Sequence, residues 1–372
     1  MVSTSPKVVL AGHPFAPIGR GEDLRCTYRA LRSIGVRPKV LDIYSLQAPE
    51  DGVLQAHLRD DLCHEPGRVN IFHINGDEVP QVMRHLSALD FSNSYNIVYP
   101  AWELARYPEE WASHLDRFDE IWAPTRFIEA ALAPVVKKRL VRVPLACEVI
   151  LDGMFSRRYF GIPESAYAFL FSFDFRSYVT RKNPEAVVAS FEHLVRKLPT
   201  TDTVLVVKMH GEQEAGARGE SLIRRLQELG PRVVVINRTM SDAEMRNLIR
   251  VCDCFVSLHR SEGFGRGLAE AMYMEKPVIG TAYSGNTDFM SSDDSLPVDY
   301  RLVDLGSGDY PFWENQQWAD ADIEQAADYM CQLAQNPSWG RAIGRKAAIA
   351  IRRRVGFRPC GLNYWQQIQP LI

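Results

Sequence analysis

Between Val251 and Met290 the residue pattern changes twice, and few folds accommodate such a change in so short a stretch. Cys254 to His259 is an apolar run of strand length, followed by a polar turn that holds Gly263, Gly265 and Gly267. Leu268, Ala271 and Met272 then fall on one helical face, Lys276-Pro277 closes the helix, and Pro277 to Tyr283 reads as a second strand. A strand that enters a helix through glycines points free backbone N–H groups at whatever lies above the sheet. The helix dipole adds to them, so the turn suits an anion such as phosphate. Glycine also lets the backbone approach a ligand and take positive φ without steric cost. Two carboxylates frame the turn, Glu262 just before it and Glu270 inside the helix. Carboxylates accept hydrogen bonds and repel phosphate, which suits them to hydroxyl groups beside it.

The same alternation of strand and helix patterns runs through the whole chain. In the first half, strands are expected at Val8–Ala11, Lys39–Ile43, Val69–Ile74, Asn96–Tyr99, Glu120–Trp122 and Leu140–Val143. In the second half they are expected at Ala168–Phe173, Thr203–Met209, Arg232–Ile236, Cys254–Leu258 and Val278–Ala282. This is the pattern of an α/β protein with two doubly wound parallel sheets, whose ligands bind beyond the strands' carboxyl ends. A length of 372 residues suits two domains, with a linker near Glu148–Pro163. Hydrophobic residues make up 46% and charged ones 24%, with a net charge of −3, which fits a soluble globular protein and gives no general attraction to nucleic acid. The seven cysteines show no C-x-x-C spacing, and Cys252 and Cys254 read as buried thiols, so a reducing cytoplasm is expected. The first strand is reached without a basic and apolar leader, and no run of about 18 apolar residues occurs.

Glu262 and Glu270, with seven residues between them in SEGFGRGLAEAM, resemble the E-x7-E motif of retaining glycosyltransferases of group 1, glycosyltransferase family 4. SDAEMRNLIRVCDCFVSLHRSEGFG and KPVIGTAYSGNTDFM resemble that family's donor half in a continuous block. INGDEVP and YPAWELARYPEEW resemble a bacterial subgroup of surface-polysaccharide transferases. The resemblance implies the GT-B fold, two Rossmann-like domains facing a cleft. Residues 1–155 would form the acceptor side, 156–350 the nucleotide-sugar side, and 351–372 a helical segment crossing back. It also implies retaining transfer of a hexose-type sugar, for example mannose, from a GDP-, UDP- or dTDP-linked donor. The acceptor would be a hydroxyl of a glycan or lipid-linked oligosaccharide, in polysaccharide or lipopolysaccharide synthesis, and neither metal nor other cofactor would be needed.

By the same resemblance Glu270 holds ribose hydroxyls, Glu262 sits near the transferred sugar, and the N–H groups of Gly263, Phe264 and Gly265 contact sugar or phosphate. Arg176 and Lys182, six apart before a helix capped by Asn183 and Pro184, are placed like the cations that clamp the donor diphosphate, and Arg181 is an alternative to either. Fixed cations suit a leaving group that gains charge. Lys208, Asn237 and Arg238 follow or end other strands and are expected at the nucleotide, while Ser241 with Glu244 reads as a capping box. Ser284-Gly285-Asn286 follows the next strand and is placed to line the same cleft. In the first half, Gly19, Arg20 and Gly21 lie in the loop before a helix over Asp23–Ser33 and either face the diphosphate or form a polar surface loop. Asn75 and Asp77 after one strand, and Trp102 and Glu103 after another, are expected at the acceptor. An exposed Trp stacks on a sugar's apolar face, whereas the alternative places Trp102 in the core and Glu103 at a helix cap. The basic runs Lys137–Arg139 and Arg352–Arg354 suit either solvated helix faces or peripheral contact with an anionic membrane. Two other functions remain open: an epimerase or phosphorylase on the same fold, and a non-catalytic protein that binds glycans or nucleotide sugars.

Overall fold

A computed structural model describes residues 7–16, 18–44, 58–211 and 216–372. The chain forms two compact units, one made of the residues up to Glu148 together with Arg352–Ile372, the other of Val149–Ile351. The first unit contains β1 (Val8–Gly12), α1 (Gly19–Ser33), β2 (Lys39–Asp42), β3 (Val69–Phe72), α2 (Val79–His85), β4 (Tyr95–Val98), α3 (Glu109–Leu115), β5 (Glu120–Ala123), α4 (Arg126–Leu132) and β6 (Arg139–Arg142). Its strands form one parallel sheet in the order β2-β1-β3-β4-β5-β6. Val8, Val9, Leu10 and Ala11 of β1 are all buried, as are all four residues of β3. Such runs suit a parallel strand covered on both faces.

The second unit contains β7 (Tyr167–Ser172), α5 (Val179–Lys182), α6 (Pro184–Lys197), β8 (Thr203–Met209), α7 (Gly216–Glu228), β9 (Val233–Asn237), α8 (Asp242–Val251), β10 (Cys254–Ser257), α9 (Arg266–Tyr273), β11 (Val278–Thr281) and β12 (Leu296–Val298). The sheet order is β12-β11-β10-β7-β8-β9, again parallel. An antiparallel pair, β13 (Tyr300–Asp304) and β14 (Gln317–Ala321), follows, then α10 (Ile323–Gln335) and α11 (Pro337–Val355). The last helix, α12 (Phe357–Ile368), belongs to the first unit.

The expected α/β architecture is present, and the eleven expected strands occur within a residue or two. Three strands were not expected. β12 has only three residues with Pro297 at its centre, and β13 exposes most of its length, so neither carries a clear period. Helix α1 starts at Gly19 rather than Asp23, which puts Gly19, Arg20 and Gly21 in its first turn and not in a loop. A Cβ on Gly21 would lie 2.4 Å from the Ala16 carbonyl oxygen, so the close approach of that turn to the preceding segment requires glycine. Asn183 precedes α6 as expected but takes φ of 54° and makes no side-chain cap; its Nδ2 donates to the Leu258 carbonyl at 3.0 Å. Cys252 and Cys254 are buried, and among the described residues no helix is long and apolar enough to cross a membrane.

Within the first unit α12 packs on α1. A Cβ on Gly361 would lie 2.2 Å from the Ala30 carbonyl oxygen, so these helix backbones are in direct contact. The buried Tyr364 stacks on Trp122, its hydroxyl accepts the Ala146 N–H at 2.9 Å, and it donates to the Pro144 carbonyl at 2.9 Å. Tyr364→Phe removes both hydrogen bonds. It should lower stability by about 1–3 kcal/mol in chemical denaturation, and an unchanged midpoint would show that the hydroxyl does not matter.

Candidate functional site

In a doubly wound sheet the loops diverge where the strand order reverses, and that point lies between β7 and β10 in the second unit. Two loops meet there. The one after β7 carries Phe175–Ser177 and α5, and the one after β10 carries His259 to Gly265. Lys182 Nζ donates to Glu262 Oε1 at 2.5 Å, and Arg181 Nη1 lies 3.3 Å from Glu262 Oε2. Arg181 is buried and also donates to the Ser261 carbonyl at 2.9 Å, while its own carbonyl accepts the Arg260 N–H at 2.7 Å. Burial alone would raise the Glu262 carboxyl, but the charges of Lys182 and Arg181 outweigh it and hold the group at about 2. One carboxylate between two cations leaves the cluster net positive.

The turn itself is set by close backbone contact. Gly285 N–H donates to the Glu262 carbonyl at 2.8 Å, and a Cβ on Gly285 would lie 1.9 Å from the Gly263 carbonyl oxygen. Ser284, with φ of 72°, accepts the Glu262 N–H on Oγ at 2.8 Å. A serine held in that region is strained, and such strain gathers at ligand sites. Phe264 is buried against Phe289. Gly265, with φ of 89°, precedes α9, and neither a capping side chain nor a first-turn acid offsets the positive end of that helix. Glu270 lies on α9, half-buried.

Sequence reasoning missed the support beneath this turn. His259 is fully buried, with Nε2 2.9 Å from Asn286 Oδ1 and Nδ1 3.0 Å from Ser257 Oγ, and Asn286 Nδ2 donates to the Thr281 carbonyl at 2.9 Å. Burial lowers the His259 pKa, so the ring is neutral and ties the loops after β10 and β11 together. A histidine ending a strand beside an asparagine that follows the next one was the available signal.

Farther along the sheet edge, Lys208 is half-buried on β8, and burial lowers its pKa against the opposing charge of Asp174. Asn237 ends β9 and is exposed. Arg238 Nη2 donates to Glu244 at 2.6 Å, and this bond, with the capping box from Ser241, holds Glu244 at about 2. The backbone of Arg176 lies in the helical turn Phe175–Ser177.

The first unit reverses its strand order between β1 and β3. Arg20 is buried, pairs with Asp23 at 2.8 Å and donates to the Tyr99 carbonyl. Asn75 donates its N–H to Glu78 at 2.7 Å and accepts the Ala101 N–H on Oδ1 at 3.0 Å, while Asp77 is exposed and Glu103 half-buried. The expectation of an exposed Trp102 is wrong. Trp102 is 1% exposed, its Nε1 donates to the Arg106 carbonyl at 2.9 Å, and it packs edge-on against Tyr107 and Trp111. A Cβ on Gly76 would lie 2.4 Å from Tyr107 Oη and 2.8 Å from Trp111 Cβ, so this aromatic group carries the Asn75–Glu78 turn instead of stacking on a sugar. The large apolar area of tryptophan favours that outcome.

Because the folded Glu262 carboxyl lies below its ordinary 4.5, its ion pairing stabilises the protein fully above that value and is lost as pH falls from there toward 2. Glu262→Gln should flatten the pH dependence of the thermal midpoint in that window. An unchanged slope would show that Glu262 is not held by its two cations.

Residues 157–295 match the sequence model of the family described as glycosyl transferases group 1. Trehalose synthase of Pyrococcus horikoshii is 25% identical over 169 residues, 45% of this chain and 36% of that protein. Trehalose synthase of Thermococcus litoralis is 32% identical over 101 residues, 27% of this chain and 24% of that protein. The matched stretches thus span about a third or less of these relatives. Among solved structures, sucrose-phosphate synthase of Thermosynechococcus elongatus aligns with a TM-score of 0.69 at 15% identity, covering 98% of this chain and 99% of that one. Anabaena HepE, in complex with UDP and glucose, aligns with a TM-score of 0.66 at 11% identity, covering 98% and 100%. TarM of S. aureus, in complex with UDP, aligns at 0.58 and 12% identity over 81% of this chain and 55% of that one. The fold is therefore that of GT-B glycosyltransferases, and the group 1 transferase match lies in the unit that holds the Lys182–Glu262 pair.

Proposed function

We propose that this protein is a retaining glycosyltransferase that moves a hexose-type sugar from a nucleotide donor to a hydroxyl of a glycan or lipid-linked acceptor, in polysaccharide synthesis. The observation that carries the reading is the net-positive cluster of Lys182, Arg181 and Glu262 beside the uncapped start of α9. A diphosphate held there meets positive charge from side chains and from a helix end, which is why no metal ion is invoked. In this reading Lys182 and Arg176 take the diphosphate, with the N–H groups of Gly263, Phe264 and Gly265. Glu262 is freed to hold the transferred sugar, and Glu270 holds the ribose. Arg181, bonded to the turn, acts mainly by positioning it. Lys208, Asn237 and Arg238 lie toward the nucleotide base, and Asn75, Asp77 and Glu103 toward the acceptor. The acceptor oxygen attacks the anomeric carbon on the face that the diphosphate leaves. The bond from that carbon to the phosphate oxygen breaks, and the departing oxygen takes the acceptor's proton.

The reading is tested by thermal stability against UDP-, GDP- and dTDP-sugars, with UDP first because HepE and TarM hold it. A ligand at a hundred times its Kd should add about 2.7 kcal/mol. Glu270→Ala should abolish most of that shift, whereas Lys182→Ala should slow transfer by about a hundredfold, as loss of one electrostatic contact to a developing charge does. No shift with any donor, or full turnover in both variants, would overturn the assignment.

A further inference from the structure

The antiparallel hairpin of β13 and β14 touches the loops after β7, β10 and β11, which together build the second unit's site. In β14 the Ala319 N–H donates to the Arg260 carbonyl at 2.9 Å, and the Arg260 N–H donates in turn to the Arg181 carbonyl at 2.7 Å. Asp320 Oδ1 holds the Arg260 guanidinium at 2.8 Å, and that group lies 5.8 Å from the ring centre of the buried Trp318. The segment between the two strands carries Tyr310, whose ring centre is 4.6 Å from that of Tyr178. Tyr310 is buried, whereas Tyr178 is exposed and takes a φ of 57° immediately before α5. At the start of β13, Tyr300 packs on Tyr283 with ring centres 5.1 Å apart. Tyr283 precedes Ser284, whose Oγ accepts the Glu262 N–H.

These contacts fall where α5 cannot hold itself. A helix of four residues is too short to be stable alone, and a tyrosine at positive φ is strained and persists only when its surroundings fix it. Tyr310 supports Tyr178 at the start of α5, and β14 reaches its third residue, Arg181, through Arg260. Both ends of the helix that presents Arg181 and Lys182 to Glu262 are thus fixed by one element. We propose that the β13–β14 hairpin sets α5 against Glu262, with Tyr310 and Arg260 as positioning residues for the two cations. The use of this brace in sugar transfer rests on the transferase reading above, whereas the brace itself does not.

A double-mutant cycle on the full chain tests the brace without any ligand. Tyr310→Ala should lower the thermal midpoint, and about half of that fall or more should vanish in the Glu262→Gln background, where the pair it supports is already broken. Tyr310→Phe keeps the ring and should restore both the midpoint and the coupling. Leu226→Ala, a core change on α7 outside these contacts, should add in full to Glu262→Gln. Asp320→Asn, which releases the Arg260 guanidinium, repeats the cycle if Tyr310→Ala does not fold. Calorimetry with UDP, GDP and dTDP reads the same coupling at the ligand. Whichever of them binds the wild type should bind Tyr310→Ala about tenfold more weakly and Tyr310→Phe as tightly. Full additivity with Glu262→Gln, or undiminished binding of that nucleotide by Tyr310→Ala, overturns the proposal. Coupling in a protein that no UDP-, GDP- or dTDP-sugar stabilises supports the brace and overturns the transferase reading instead.

Discussion

The ion pair between Lys182 and Glu262 is the contact on which the second unit's site depends. It joins the loop after β7 to the loop after β10 across the sheet's switch point, and Arg181 closes the same carboxylate from the other side. Removing one partner of a buried pair costs about 3–5 kcal/mol, mostly because the other charge is left without compensation. Here the surplus cation softens that penalty for the carboxylate and keeps the field positive. The same geometry that stabilises the turn therefore leaves positive charge beside it. Glycine at 285 makes the approach feasible, since any side chain there would meet the Gly263 carbonyl.

Both sheets solve the switch point in one way. In each, a basic or titratable side chain from the loop after the unit's first strand meets a glutamate from the loop after the neighbouring strand. In the second sheet these are Lys182 and Glu262; in the first they are His13 and Glu78. The difference in chemistry follows from the partners. Two cations surround one carboxylate in the second sheet, whereas in the first a histidine meets the glutamate beside an arginine that is paired with Asp23.

Much of the fold was legible. The expected strand Thr203–Met209 matches β8 to the residue, because its buried Val204–Val207 run is apolar and flanked by polar residues. Ser241 and Glu244 form the capping box that their spacing predicts, since the interaction is local. Legibility fell where local signals were absent or equivocal. β12 is too short and β13 too exposed to show a period, and the first turn of α1 was hidden by two glycines that usually mark loops. A tryptophan after a strand is compatible with a sugar platform or with the core, and only its packing with Tyr107 and Trp111 decides for the core.

By itself the sequence determined the alternation of strands and helices, the glycine turn that opens α9, and the individual residues Lys182 and Glu262, because each is a matter of near neighbours. Only the tertiary structure decided that these two meet, at 80 residues' separation, and that His13 meets Glu78 at 65. It also decided that Arg181 is bonded to the turn and that Trp102 is buried. The physical reason is common to all of them. Backbone propensity and hydrophobic period act over a few residues, whereas the charge state, tautomer and exposure of a side chain depend on which distant loops the parallel sheet brings to the same edge.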